Sequence, residues 1–287
     1  MKYDPILDIG PFRFCIEGCP DNISAQLSNL YDASLDYNVT QPIDYWLSIK
    51  STSFLRKIIK PQVCIYIDNQ RPFNPIKKSL LLPSIEWGMN WCIASYNFTY
   101  LLIHASVLVK NNKAILFPAM PGSGKSTLAA YFGLRDWTLY SDEMAIINIG
   151  SNTVLPMHRP ASLKNSSIEI IKQSSNSAVF SPTTYGTHKG DIAHLKTIDR
   201  TTFNQLKSAE IVAVIFPKFN PTSELVIEQV SSIEGFAKLA HNSFNYSVLG
   251  LQGYKTLCNV VDKSTFYKVN YSNYDGLDKF IDELVTI

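Results

Sequence analysis

Little in this chain announces an environment or a partner. No apolar stretch among its 287 residues reaches the roughly 18 needed to cross a bilayer. The start, where Asp4 and Asp8 flank Ile6-Leu7, lacks the pattern of a secretory leader. No membrane association and a cytoplasmic location are therefore expected. An excess of one charge is also missing: 26 Lys and Arg face 24 Asp and Glu, a formal net charge of +2. Such a balance creates no broad field for nucleic acid or an anionic membrane, so no nucleic-acid partner is expected. Cysteine is sparse. Cys15, Cys19, Cys64, Cys92 and Cys258 form an odd, scattered set without paired CxxC spacing or a neighbouring histidine cluster, which reads as reduced thiols and excludes a disulfide framework or zinc module. Internal repeats and low-complexity tracts are absent. Asn97-Phe98-Thr99 fits the glycosylation pattern, but a cytoplasmic chain leaves it unmodified.

What is present describes a globular protein. The composition is 46% hydrophobic and 17% charged, and the length allows one large domain or a small one beside a medium one. Residues 1–82 mix short apolar runs, such as Phe12-Arg13-Phe14-Cys15-Ile16 and Val63-Cys64-Ile65-Tyr66-Ile67, with turn-rich links, and predict a small α+β region. Residues 83–287 form the second expected domain. It opens on a helix with Ser84 as cap and Ile85, Trp87, Met89, Trp91 and Cys92 as apolar surface. The alternation over 101–109 predicts one half-buried strand with His104 and Ser106 on its polar side. Asn111-Asn112-Lys113 makes a turn, so this strand and 114–117 pair as a hairpin.

The hairpin feeds Pro118-Ala119-Met120-Pro121-Gly122-Ser123-Gly124-Lys125-Ser126-Thr127, the most informative run of the chain. It follows a strand-like segment and opens a helix-like one, the context of a phosphate-binding loop. Glycines let backbone N–H groups turn inward around a polyphosphate, Lys125 reaches the β/γ oxygens and the Ser126 hydroxyl sits on Mg²⁺. The helix start adds its positive dipole end. The usual pattern has Gly six residues before the lysine, where this chain has Ala119, so the match is to a relaxed form.

Residues 137–141 read as a strand ending in Asp142-Glu143, and acids at a strand's C-terminal end face the ligand crevice. Phosphoryl transfer needs an acid near the metal and a group that orients or deprotonates the acceptor. Neighbouring strand residues point to opposite sides, so one of the pair faces the metal directly, with Asp142 favoured. Further on, His158-Arg159-Pro160, Ser162-Leu163-Lys164-Asn165 and Thr187-His188-Lys189-Gly190-Asp191 supply basic loops suited either to neutralising a transferred phosphoryl group or simply to meeting solvent.

From about Ile85 onward the chain resembles the HPr kinase/phosphorylase superfamily, and more closely the HPr-kinase-related kinase A family. The resemblance rests on Glu86-Trp87-Gly88-Met89-Asn90-Trp91-Cys92-Ile93-Ala94, His104-Ala105-Ser106, Pro121 to Thr127, Ser141-Asp142-Glu143, Arg159-Pro160, Ser162-Leu163-Lys164-Asn165, Lys189-Gly190 and Ser243-Phe244-Asn245-Tyr246. It implies an α/β fold with a P-loop kinase core of the HPr kinase and phosphoenolpyruvate carboxykinase type, a mixed sheet flanked by helices, beside the small N-terminal α+β region. It also implies ATP and Mg²⁺ as cofactors. Pro121, Gly122, Ser123, Gly124, Lys125, Ser126 and Thr127 would bind the nucleotide, and Ser126, Asp142 and Glu143 the metal. Asp142 would act as base with His104 beside it, and Lys125, Arg159 and Lys189 would stabilise charge. Glu143 stands where HPr kinases carry a second aspartate, and Lys189 replaces an arginine and so loses its bidentate grip. Since the N-terminal region does not match the HPr kinase regulatory domain, the expected acceptor is a serine-type hydroxyl on a peptide or small protein other than HPr. PqqD-like peptide-binding proteins are associates of the group, and the hexamers of HPr kinases allow for a homo-oligomer. A small-molecule hydroxyl kinase and a non-catalytic ATP-binding interaction module are the alternative readings.

Overall fold

The computed structural model describes residues 4–32, 42–51 and 61–286. It is a mixed α/β structure that divides into two compact units, Met1–Asn97 with His158–Thr202 and Phe98–Met157 with Phe203–Ile287. In chain order the first unit begins with β1 (Ile6–Asp8), β2 (Arg13–Glu17), α1 (Asp21–Tyr31), β3 (Tyr45–Ser51), β4 (Gln62–Ile67), β5 (Ile76–Lys77) and, after a 3-10 turn, α2 (Leu81–Tyr96). The second unit then supplies β6 (Tyr100–Ile103), β7 (Ala105–Lys110), β8 (Lys113–Pro118), α3 (Lys125–Gly133), β9 (Thr138–Ser141), β10 (Ala145–Asn148) and β11 (Thr153–Leu155). The chain returns to the first unit for β12 (Ala161–Lys164), α4 (Ser166–Ser174), β13 (Val179–Phe180), β14 (Thr184–Thr187) and β15 (Gly190–Lys196), and α5 (Arg200–Phe203) follows. The second unit is completed by β16 (Ala209–Phe219), β17 (Val226–Gln229), α6 (Ser232–His241), α7 (Tyr246–Leu249), α8 (Leu251–Lys263), β18 (Thr265–Tyr271) and α9 (Leu277–Thr286).

This division differs from the expected boundary at residue 82, which falls inside α2. Residues 33–41 and 52–60 of the expected N-terminal region lie outside the described residues. The segment 158–202 joins the first unit because its opening residues are tied there by buried polar chemistry. The Arg159 guanidinium lies 2.5 Å from Glu86 Oε2, donates to the Glu86 carbonyl at 2.9 Å and bonds the Asn90 side chain. Tyr31 donates its hydroxyl to the other Glu86 oxygen at 2.7 Å. The Arg159 and Glu86 side chains are only 6% and 4% exposed, so the pair is sustained by mutual attraction and by hydrogen bonds that replace lost water. Ser84, expected as a helix cap, instead lies within α2 and donates its hydroxyl to the Leu80 carbonyl at 2.8 Å. The helix starts earlier because Leu81 and Leu82 are also buried.

In the first unit β1 to β5 form a sheet in sequential order, with β2 and β3 parallel across the α1 crossover. A smaller sheet is built around β15, which pairs with β12, β13 and β14. In the second unit the path is β6-β10-β11-β16-β8-β7-β9, with β18 beside β16 and β17 beside β18. The long β16 runs parallel to both β8 and β18. Ile211, Ala213, Val214 and Ile215 of β16 and Ala114 to Phe117 of β8 are fully buried, the continuous apolar composition expected of parallel strands covered on both faces. Each buried Leu, Ile, Val or Phe contributes on the order of 1.5–3 kcal/mol. The β7–β8 hairpin closes as expected on a two-residue loop, with Asn111 and Asn112 at positive φ, the backbone a type I′ turn demands. Helix α6 is capped by Ser231, whose side chain accepts from the Glu234 N–H. No helix among the described residues is long and apolar enough to cross a membrane.

Two predictions arise from the first unit. Arg159→Leu strands the Glu86 carboxylate in the core and should cost about 3–5 kcal/mol in urea unfolding; the double change with Glu86→Leu should recover much of that loss. Burial, then the charge of Arg200, lowers the His158 pKa to about 4, against a bond to the Ile198 carbonyl that works the other way. A folded-state pKa below the unfolded value means that the stabilisation is whole above about pH 6.5 and drains as pH falls toward 4, about 3 kcal/mol in all. His158→Gln should flatten the dependence of the unfolding midpoint across that window; a slope equal to wild type would assign it to other groups.

Candidate phosphate-binding site

The loop between β8 and α3 belongs wholly to the second unit. Strand β8 delivers Pro118 to the sheet's end, and the chain turns through 119–124 before the helix begins at Lys125. Gly122 and Gly124 have φ of 86° and 85°, in the left-handed region that favours glycine. The two differ in what surrounds them. A Cβ on Gly122 would meet nothing within 4 Å, whereas one on Gly124 would sit 2.6 Å from the Tyr271 hydroxyl and 2.8 Å from Phe219 Cβ. Ser123 joins the loop to its neighbours: its N–H donates to the Met120 carbonyl at 3.2 Å, and its carbonyl accepts from the Phe219 N–H at 2.9 Å. Strands β8, β16 and β18 are parallel, so the loop and the segments after Phe219 and Tyr271 gather at one end of the sheet. That end is where ligands bind in open α/β sheets.

Lys125 is buried and points to the strand that carries the acids. Its ammonium donates to the Asp142 carbonyl and lies 4.0 Å from Asp142 Oδ1. The Ser106 hydroxyl reaches the same residue twice, 2.8 Å from the carbonyl and 2.9 Å from Oδ1. Asp142 is 2% exposed, so these bonds stand in for the water it has lost. Glu143 points elsewhere, as adjacent residues leaving a strand should. Its Oε2 lies 3.5 Å from His104 Nε2, with both side chains about one-third exposed. The chain turns at this point because the Ser141 hydroxyl accepts from the Met144 N–H at 3.1 Å, which sends 145–148 back along the sheet as β10.

His104 does not lie within one continuous strand, as the alternation predicted. It interrupts two: β6 pairs with β10, while β7 pairs with β8 and β9. The expected half-buried strand is in fact buried on both faces, apart from His104 and the end of β7. The break is held from the C-terminal half of the chain. The His104 N–H donates to the Asn242 carbonyl at 2.8 Å. Ser243 donates to the Leu102 carbonyl at 2.9 Å, and the Asn245 amide accepts from the Leu102 N–H and donates to the Tyr100 carbonyl. Phe244 places its ring 5.8 Å from the imidazole. The segment 243–246 singled out in the sequence thus clasps the strand that leads to His104.

The expected site residues fall into both units. Pro121, Gly122, Ser123, Gly124, Lys125, Ser126, Thr127, His104, Asp142 and Glu143 are in the second. Ser126 and Thr127 occupy the first turn of α3, where N–H groups have no intrahelical acceptor. Arg159 and Lys189 are in the first. Arg159 is taken up by the Glu86 pair. The Lys189 ammonium lies 4.9 Å from the centre of the Trp87 ring, and His188 meets the same ring edge-on at 4.7 Å. A Cβ on Gly190 would collide with the Asn165 side chain at 2.3 Å, so four of the segments noted in the sequence converge within this unit.

Three contributors escaped the sequence reading as site residues. Ser106 shares the expected polar side with His104 and was within reach of that argument. Phe219 and Tyr271 are separated from the loop by long stretches of chain and carried no local signal. Tyr271 is 1% exposed, and its hydroxyl has no hydrogen-bond partner among the described residues, as is also true of the Ser123 hydroxyl. Burial, and next Tyr274, pushes the Tyr271 phenol far above its ordinary pKa.

These donors suit a nucleotide polyphosphate: two left-handed glycines that open the backbone, a helix start, a lysine and an unsatisfied serine hydroxyl. Among the described residues no group of three His, Cys, Asp or Glu could hold a metal ion. A magnesium ion here would take Ser126 and one acid from the chain and the rest of its oxygen shell from phosphate and water. Compared with known proteins, the chain matches no family model and no curated protein.

Gly124→Ala should cost more than about 2 kcal/mol of second-unit stability, from backbone strain together with the collision, while Gly122→Ala should cost only the strain of about 1 kcal/mol. Tyr271→Phe removes an unpaired buried hydroxyl and should leave stability unchanged or raise it by up to about 1 kcal/mol. Thermal unfolding of the three variants checks the order.

Proposed function

We propose that this chain is an ATP- and Mg²⁺-dependent kinase of the HPr-kinase-like type, with a P-loop core, that phosphorylates a serine-type hydroxyl on a peptide or small protein. The observation that carries the reading is the buried Lys125 docked on Asp142 behind a glycine-rich loop. That pairing brings an ammonium and a carboxylate to 4.0 Å, the two kinds of group that phosphoryl transfer uses. The nucleotide supplies the phosphoryl group, and magnesium neutralises its charge.

The chain's own residues divide the remaining work. Backbone N–H groups of 122–127 bind and orient the phosphates, and Lys125 exchanges its contact with Asp142 for phosphate oxygens. Asp142 would accept the proton of the incoming hydroxyl as the hydroxyl oxygen bonds the γ-phosphorus and the bond to the β–γ bridging oxygen breaks, releasing ADP, while Ser106 holds the Asp142 carboxylate. Ser126 would be the metal ligand from the helix. His104 and Glu143 hold one another beside this acid, and Glu143 supplies the second carboxylate of the site. Arg159 has no part in this scheme, since its guanidinium is committed to Glu86; Lys189 is likewise left out.

The test is incubation of the pure chain with γ-labelled ATP, Mg²⁺ and a size-fractionated host-cell extract, beside Lys125→Ala and Asp142→Asn. Label should enter the macromolecular fraction with wild type, and each variant should lose at least about a hundredfold of that transfer. Label confined to small solutes would make the chain a small-molecule kinase. Nucleotide retained without transfer in any fraction would overturn the kinase reading in favour of a binding module.

A further inference from the structure

Two large apolar side chains beside the loop have no role in the scheme above. Phe219 is 43% exposed and Met120 is 67% exposed. Single exposed apolar residues are commonplace on protein surfaces and carry no message alone. These two are distinguished by where they are anchored. Both flank Ser123 through its own backbone, Met120 by accepting from the Ser123 N–H and Phe219 by donating to the Ser123 carbonyl. They therefore border the same turn of the loop that would carry the polyphosphate.

The ring of Phe219 is also braced. Phe219 is the last residue of β16 and sits in register with Tyr271 of the parallel β18. The two rings meet edge-on, 5.6 Å apart and inclined at 71°. Tyr271 is itself buried and packs against Gly124. An exposed aromatic with a fixed ring at the C-terminal end of a parallel strand, directly adjoining a phosphate loop, has the position and the chemistry of a stacking platform. The chain past it turns at once, with the Asn220 side chain accepting from the Thr222 N–H and hydroxyl at 3.2 and 3.1 Å.

We infer that the base of the bound nucleotide stacks on Phe219, with Met120 as a second apolar contact, so that the loop and the end of β16 together form a nucleotide site with a defined base subsite. The inference rests on the proposed reading of the loop as a nucleotide site. Stacking of this kind tolerates different bases, because each presents a π-face. Phe219 thus provides affinity for a nucleotide over bare polyphosphate.

The experiment is titration calorimetry of the full chain with Mg·ATP and, separately, with Mg·tripolyphosphate, for wild type, Phe219→Ala, Phe219→Tyr and Met120→Ala. Wild type should bind ATP at least about tenfold more tightly than tripolyphosphate. Phe219→Ala should lose about tenfold or more in ATP affinity and less than about twofold for tripolyphosphate, Phe219→Tyr should stay near wild type, and Met120→Ala should show a smaller, ATP-only loss. Equal ATP binding by wild type and Phe219→Ala would overturn the subsite, and so would an equal loss for both ligands, which would mark a structural role against Tyr271. Wild type that binds neither ligand would remove the nucleotide site and this inference with it.

Discussion

The contact on which the second unit's chemistry turns is the Lys125 ammonium held between the Asp142 carbonyl and carboxylate. A cation placed that deep is tolerable only with such partners, because they replace the water it has lost. Its presence ties the start of α3 to the end of β9 and so fixes the loop from both sides. The Ser106 hydroxyl completes the arrangement from β7. Under the proposed function, a phosphate at the loop would offer Lys125 another partner, and the carboxylate would then be open to a proton or a metal.

Much of the local architecture was legible in the chain. The Asn-Asn turn, the apolar run of β8, the glycine-rich loop and the strand leading to Asp142 all stand where local pattern placed them, because each is decided by neighbours in sequence. The failures have a common cause in distance along the chain. His104 interrupts a strand that looks continuous, and what holds the break open is the segment 242–245 from another region. The unit boundary could not be read at all, since the carboxylate and guanidinium that join α2 to the return segment come from Glu86 and Arg159, each unremarkable in its own surroundings. Phe219 reads as the tail of an apolar strand until its neighbour Ser123 is known.

Arg159 shows how the surroundings of a basic residue escape a reading of its sequence. A free guanidinium and one paired in a core are identical in sequence, and they differ in the partners the fold brings to them. In this structure the Arg159 guanidinium is held by Glu86 and Asn90, and Tyr31 bonds the same carboxylate, a polar network of the kind that specifies one arrangement of a core among several apolar alternatives. Buried thiols in the same unit follow a related rule: burial first, and then the nearby Asp68, raises Cys92 to about 12, which keeps it a small apolar filler with little thiolate.

The parallel pairing of β8 with β16 also sets an order of events on the ribosome. Lys113 to Leu116 find their partners in Glu210 to Val214, so the strand that carries the loop leaves the exit tunnel long before the strand that covers it. At 5–20 residues per second the open edge waits for roughly 5 to 20 seconds. Throughout that interval Ala114-Ile115-Leu116-Phe117 presents a run of bare apolar backbone to whatever is nearby, the condition under which strand edges join the wrong chain. The segment 158–202, which belongs to the other unit, is synthesised within that interval.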